Sequence, residues 1–261
     1  MKKIYMLIMA LVFTFVFSSC SFNEYRYENY ENYQSGSDVT LNSEIQDIEV
    51  NWVNGNITIV QENSNELNFK ELNQGIYPLY YLLDGTTLKI EFVKNGTSNN
   101  VFNNLHKDLY ISLPLNVNVP ISFDCTLING NLSADSNLAF KDLNIDLING
   151  NVDFKTIIGK EIEIESVNGN IEIGNLNCDS LKIDKVNGNF ELNGIEKAVY
   201  IDIDSVNGDD EISVPESLGY EVNFESFRVF ASEYNNLYFY GKKLVKIDYD
   251  SVNGTLLISK Q

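Results

Sequence analysis

Seven carboxylates hold the positions in this chain best suited to chemistry: Asp146, Glu163, Glu165, Glu172, Asp184, Asp202 and Asp204. Gathered on one outer face with a basic residue or a metal, such acids could cleave a glycosidic bond. Each alternates with apolar neighbours, however, and a solvated strand face accounts for all of them. Arg228 is the basic residue that stands out, and it fits a solvated or salt-bridged side chain better than a catalytic one. Asp209-Asp210-Glu211 is the best oxygen-rich cluster for a hard cation, with a solvated turn as the simpler reading. His106 and two spare cysteines exclude an ordinary zinc cluster. The expectation is a chain that is not an enzyme, with no cofactor and no metal site.

A different chemistry is written at the N-terminus. Lys2 and Lys3 precede an apolar run from Ile4 to Phe17, broken only by Thr14 and too short to span a membrane. The run ends in Phe17-Ser18-Ser19-Cys20, which resembles a bacterial lipobox. Residues 1–19 are expected to be a lipoprotein signal peptide, with Cys20 lipidated and new at the N-terminus. Phe17 departs from the usual Leu at its position. A lipid on Cys20 leaves Cys125 and Cys178, which the repeat described below places at different corners, so both are expected as buried free thiols.

Charge narrows the partners. The 261 residues carry a formal charge of −19, with two arginines, and 44% of them are hydrophobic. Such a chain can build a core, and nucleic acid and anionic headgroups would repel it. The expected partners are the membrane, through a lipid anchor, and a glycan or envelope protein.

What must position these residues is a repeat. A β-branched residue, Asn and Gly recur seven times, at Asn54-Gly55, Asn129-Gly130, Asn149-Gly150, Asn168-Gly169, Asn187-Gly188, Asn207-Gly208 and Asn253-Gly254. The middle five asparagines are 20, 19, 19 and 20 residues apart. Around them runs β alternation, as in Ile162-Glu-Ile164 and Ile201-Asp-Ile203. Asn and Gly both tolerate positive φ and suit a sharp corner. A meander of hairpins would use each Asn-Gly as a two-residue turn. A parallel β-solenoid would use it as a corner, and only the solenoid needs a constant repeat length. The fold class expected is therefore all-β, a single-domain parallel β-solenoid with coils of about 19–20 residues, whose corner asparagines could hydrogen-bond from coil to coil.

The gaps extend this reading. Asn54 and Asn129 are 75 residues apart, close to four repeats. Ser226-Phe227-Arg228-Val229 looks like a coil that has lost its Asn-Gly, followed by an insertion around residues 232–236. Steps of this size give about ten to twelve coils and a rod on the order of 50 Å. Residues 20–40, polar and rich in tyrosine, are expected to be a flexible tether, and residues 41–261 the solenoid. Aromatic clusters at Tyr77, Tyr80 and Tyr81, and from Phe224 to Tyr240, would cap the two ends or form a binding patch.

The phrase Ser-Val-Asn-Gly-Asn-Ile-Glu-Ile at residues 166–173 resembles a bacterial family of uncharacterised β-solenoid proteins regarded as candidate adhesins. Leu109-Tyr-Ile-Ser-Leu-Pro114, followed by Leu127-Ile-Asn-Gly-Asn-Leu132, is similar to that family's entry into its repeats. A looser likeness is to autotransporter-adhesin-head domains of exported Bacteroidota proteins. The resemblance covers most of residues 41–261 and implies the fold, and it brings no catalytic residues. Three functions follow as expectations: a lipid-anchored, non-enzymatic, adhesin-like scaffold of the bacterial cell envelope; a carbohydrate-active enzyme on the same fold; or an envelope-stress accessory that binds a membrane protein.

Overall fold

Side-chain alternation builds the strands. Along Glu161–Asn168, Ile162, Ile164 and Ser166 are buried while Glu161, Glu163 and Glu165 face outward. A strand with one wet face must lay its other face on a core. The computed structural model describes residues 24–42, 44–73, 76–114, 121–226 and 244–260. The signal segment, Cys20 and Arg228 lie outside them. The described residues form one all-β domain with a β-solenoid-like repeat.

The strands that arrive at the Asn-Gly corners form one parallel row. Its order is Thr87–Glu91, Asp47–Asn54, Ile121–Asn129, residues 142–149, Glu161–Asn168, Ser180–Asn187, residues 200–207, residues 246–253 and Gly219–Ser226. The strands that leave the corners stack as a second row, running through Ile57–Glu62, residues 132–134, Val152–Ile158, Ile171–Asn177 and Phe190–Leu192. Between the rows lie columns of like side chains. One runs Ile48, Phe123, Leu143, Ile162, Leu181, Ile201, Ile247, none more than 2% exposed. Each such residue contributes roughly 1.5–3 kcal/mol by leaving water. Cys125 belongs to the next column, beside Val50 and Ile145. Cys125 and Cys178 are both buried free thiols, with burial pushing the Cys178 thiol up to about 12.

Three expectations are corrected. First, Asn54 pairs directly with Asn129, and Asn207 with Asn253. The 75-residue gap holds no four coils. Residues 67–84 instead make an antiparallel excursion of Leu67–Glu71 and Leu79–Asp84, the second pairing antiparallel with Thr87–Glu91, where the chain rejoins the parallel row. The corner column therefore has seven levels among the described residues, and nine strands at the usual spacing span about 40 Å. Second, residues 24–41 are not a loose tether. Tyr25 is buried, and its hydroxyl donates to Glu91 Oε2 at 2.7 Å. Gln34–Gly36 and Asp38–Leu41 pair antiparallel with Leu79–Asp84 and Leu67–Glu71, covering edges the excursion would leave open. Third, Gly219–Ser226 does keep the repeat's register, with Ser226 opposite Ser251, but it stands at the outer edge. The later strand, bearing Asn253-Gly254, takes the inner place, where Asn253 can bond to Asn207.

Candidate functional site

At each corner the Asn side chain meets its own kind. Asn149 Nδ2 donates to Asn129 Oδ1 at 2.9 Å, Asn168 to Asn149 at 3.0 Å, Asn187 to Asn168 at 3.0 Å, Asn207 to Asn187 at 2.9 Å and Asn253 to Asn207 at 3.2 Å. Asn54 differs, donating instead to the Leu105 carbonyl at 2.7 Å. A primary amide carries both donor and acceptor, so a stack of them satisfies itself. The glycine beside it is required by sterics. Gly169 has φ +153°, and a Cβ there would lie 1.5 Å from the Gly150 carbonyl oxygen. Gly55, Gly130, Gly150, Gly188 and Gly208 are equally closed, each with a backbone oxygen 2.0 Å or less from such a Cβ.

A second ladder follows one residue after each glycine. Asn131, Asn151, Asn170, Asn189 and Asp209 donate their backbone N–H to the side-chain oxygen of Asn56, Asn131, Asn151, Asn170 and Asn189, at 2.9–3.0 Å. Its signal in the sequence is the second Asn of Asn-Gly-Asn.

Behind the corner the core changes character. The inward position two residues before each corner Asn is Trp52, Leu127 and Leu147 in the first three levels, then Ser166, Lys185, Ser205 and Ser251. Lys185 Nζ lies 2.8 Å from Asp210 Oδ1, 2.9 Å from Ser205 Oγ and 2.7 Å from the Gly188 carbonyl. Asp210 also accepts from Phe190 N at 2.8 Å and from the Tyr249 hydroxyl at 3.1 Å. Burial raises the Asp210 carboxyl, and Lys185 opposes the shift. Asp210 is thus a structural partner. Asp209 accepts from Thr255 Oγ1, and Glu211 points away into solvent, so Asp209-Asp210-Glu211 does not converge on a cation.

The outward positions carry the acids. One column along the arriving row reads Asp146, Glu165, Asp184, Asp204, Asp250, each the register neighbour of the next. Two residues upstream a parallel column reads Asp124, Asn144, Glu163, Lys182, Asp202, Asp248. Lys182 Nζ bonds Glu163 Oε1 and lies 2.8 Å from Asp184 Oδ2. Desolvation works against its charge, but these hydrogen bonds outweigh it and push the ammonium up. Among the described residues Glu165 has no such bond. Burial, then Asp146, Asp184 and Glu163, push its carboxyl up to about 7, and Lys182 opposes them only through space, as the weakest of these influences. Burial, Glu163 and Asp124 raise Asp146 in the same way. Two charges at one strand spacing repel by roughly 1–3.5 kcal/mol between the water and protein-surface limits.

Residues 39–242 match the Toastrack DUF4097 family. The chain belongs to that family. A Toastrack chain is a β-solenoid-like repeat, as the register above shows here. Among solved structures, it is similar to a candidate adhesin from Bacteroides fragilis, at 16% identity and TM-score 0.50, over 87% of this chain and 98% of that one. Weaker likenesses, both 16% identical with TM-score 0.40, are to a candidate cell adhesion protein from Clostridium sporogenes (86% and 99% covered) and a candidate lipid-binding protein from Parabacteroides distasonis (87% and 97%). No curated protein sequence matches it significantly.

Of the acids singled out in the Toastrack sequence, Asp146, Glu163, Glu165, Asp184, Asp202 and Asp204 share the outer face of the arriving row. Glu172 stands apart, on the departing row beside Asp153 and Glu191. Taken singly, each acid is explained by a solvated strand face, and alternation carries no sign of Lys182, which sits between Glu163 and Asp184.

Proposed function

We propose that this chain is a non-enzymatic, lipid-anchored protein of the bacterial cell envelope, whose rigid stack presents a surface for adhesion. The observation that carries the reading is the corner. Its conspicuous residues are consumed in coil-to-coil hydrogen bonds, so the repeat serves to hold a shape. The Bacteroides fragilis protein of like fold is named a candidate adhesin, which agrees with that use. Phe17-Ser18-Ser19-Cys20 after an apolar run supports the anchor and an envelope location. Glycans and envelope proteins are the partners this surface suits. Cys20→Ala should release the protein from the membrane fraction and change its mature mass, and unchanged fractionation and mass would remove the anchor. Protease shaving of intact cells reports whether the body faces outward. A glycan array tests adhesion directly.

A second reading, a carbohydrate-active enzyme, draws on Glu165, a carboxyl pushed up to about 7 beside other carboxylates. That is the state of a general acid. Release of reducing ends from a panel of acidic polysaccharides, lost in Glu165→Gln, would establish it.

A further inference from the structure

We propose that Glu163, Glu165 and Asp184 form a binding site for a hard divalent cation, Ca²⁺ foremost, on the outer face of the arriving row. This goes beyond the adhesion reading and does not depend on it. One carboxylate oxygen from each residue lies within 4.8 Å of the other two. Oxygen ligands at 2.3–2.6 Å from one ion can stand that far apart, and Ca²⁺ takes six to eight of them in flexible geometry. A flat sheet face supplies carboxylates on one side and leaves water to complete the shell on the other. Mg²⁺ demands a tighter octahedron and suits this face less well.

The second observation is independent of the acid count. The Asp184 side chain is only 8% exposed; Oδ2 meets Lys182 in an ion pair at 2.8 Å, and Oδ1 is buried with no partner among the described residues. A buried carboxylate oxygen without a partner is costly, and a bound cation is one way to satisfy it. Lys182 neutralises part of the cluster but turns to Glu163 and Asp184, and among the described residues no hydrogen bond reaches Glu165. Asp146 and Asp204 flank the triad in the same column and add to the negative field. A dication seated among the three carboxylates adds the positive charge that Lys182 alone does not supply to Glu165.

Calorimetric titration of the full chain with CaCl₂, after chelator treatment, tests the site. One saturable event is expected, with a Kd of roughly 10⁻⁵ to 10⁻³ M. Glu165→Gln and Asp184→Asn should each weaken it about tenfold or more, whereas Asp153→Asn, on the departing row, should leave it unchanged. Affinity should fall in acid, where protons compete with the cation for the three carboxylates. Far-UV circular dichroism confirms that each variant is folded. Should Asp184→Asn fail to fold, Glu165→Gln carries the test, since it removes a repulsion and keeps the shape. No binding at millimolar Ca²⁺, or binding that survives Glu165→Gln unchanged, overturns the proposal.

Discussion

The corner asparagines and the mid-strand carboxylates stand on the same strands at the same spacing, yet the register treats them oppositely. Asn168 gives a hydrogen bond to Asn149 and takes one from Asn187. Glu165, three residues earlier on the same strand, faces Asp146 and Asp184 and gains repulsion from both. An ionised carboxylate only accepts, so its stack cannot satisfy itself as an amide stack can. Parallel in-register repetition thus rewards self-complementary side chains and penalises like charges. A third solution lies behind the corner, where Lys185 and Asp210 pair across the core. Columns that follow the rule build the fold, and the column that breaks it is where a ligand is to be sought.

Substitutions can break or sharpen this contrast. The largest effect is expected from Gly169→Ala, which drives a Cβ into the Gly150 carbonyl at a positive φ. A loss of about 4 kcal/mol or more, read as collapse of the urea midpoint, is expected. Next is Asp210→Ala, which strands Lys185 as a buried charge. It should cost about 3–5 kcal/mol, and the double change Lys185→Met with Asp210→Leu should recover most of that. Asn168→Asp converts one rung of the amide ladder into the acid pattern. Losing its donor to Asn149 should cost about 1–2 kcal/mol in denaturant titration. Smallest, and opposite in sign, is Glu165→Gln, which should raise the melting temperature at pH 8.

The corner was legible because Asn-Gly is a local signal whose even spacing implies a stack. Parallel strands and a single all-β domain followed from it. The neighbours of Asn54 and Asn253 were not legible, because counting residues assumes that every stretch of chain makes a coil. The excursion through Leu67–Glu71 and Leu79–Asp84 leaves the stack and returns to it. Tyr25 read as tether because its surroundings are polar, and its burial depends on Glu91, 66 residues away. The acid site lay between these cases. Asp146, Glu165 and Asp184 are 19 residues apart, the repeat's own period, so superposing the repeats would have aligned them. Alternation explained each acid singly and hid the column.

The central claim is that burial and like-charge repulsion together strain the acid column at neutral pH and that a proton or a dication relieves it. The Glu165 carboxyl stands at about 7 in the folded chain against an ordinary 4.5. Between those values the native state holds a proton that the unfolded chain has lost. Stability from this group is therefore fullest at low pH and falls as the pH rises through about 7. Glu91, buried and also pushed up to about 7, acts in the same direction, so Glu165→Gln is needed to isolate the column. The decisive measurement is the melting temperature of the wild type and Glu165→Gln at pH 5.5 and pH 8, each in chelator and in millimolar Ca²⁺. In chelator the wild type should melt lower at pH 8 than at pH 5.5, Ca²⁺ should narrow that gap, and Glu165→Gln should show a smaller gap and little response to Ca²⁺. Equal pH and Ca²⁺ responses in wild type and Glu165→Gln would contradict the account.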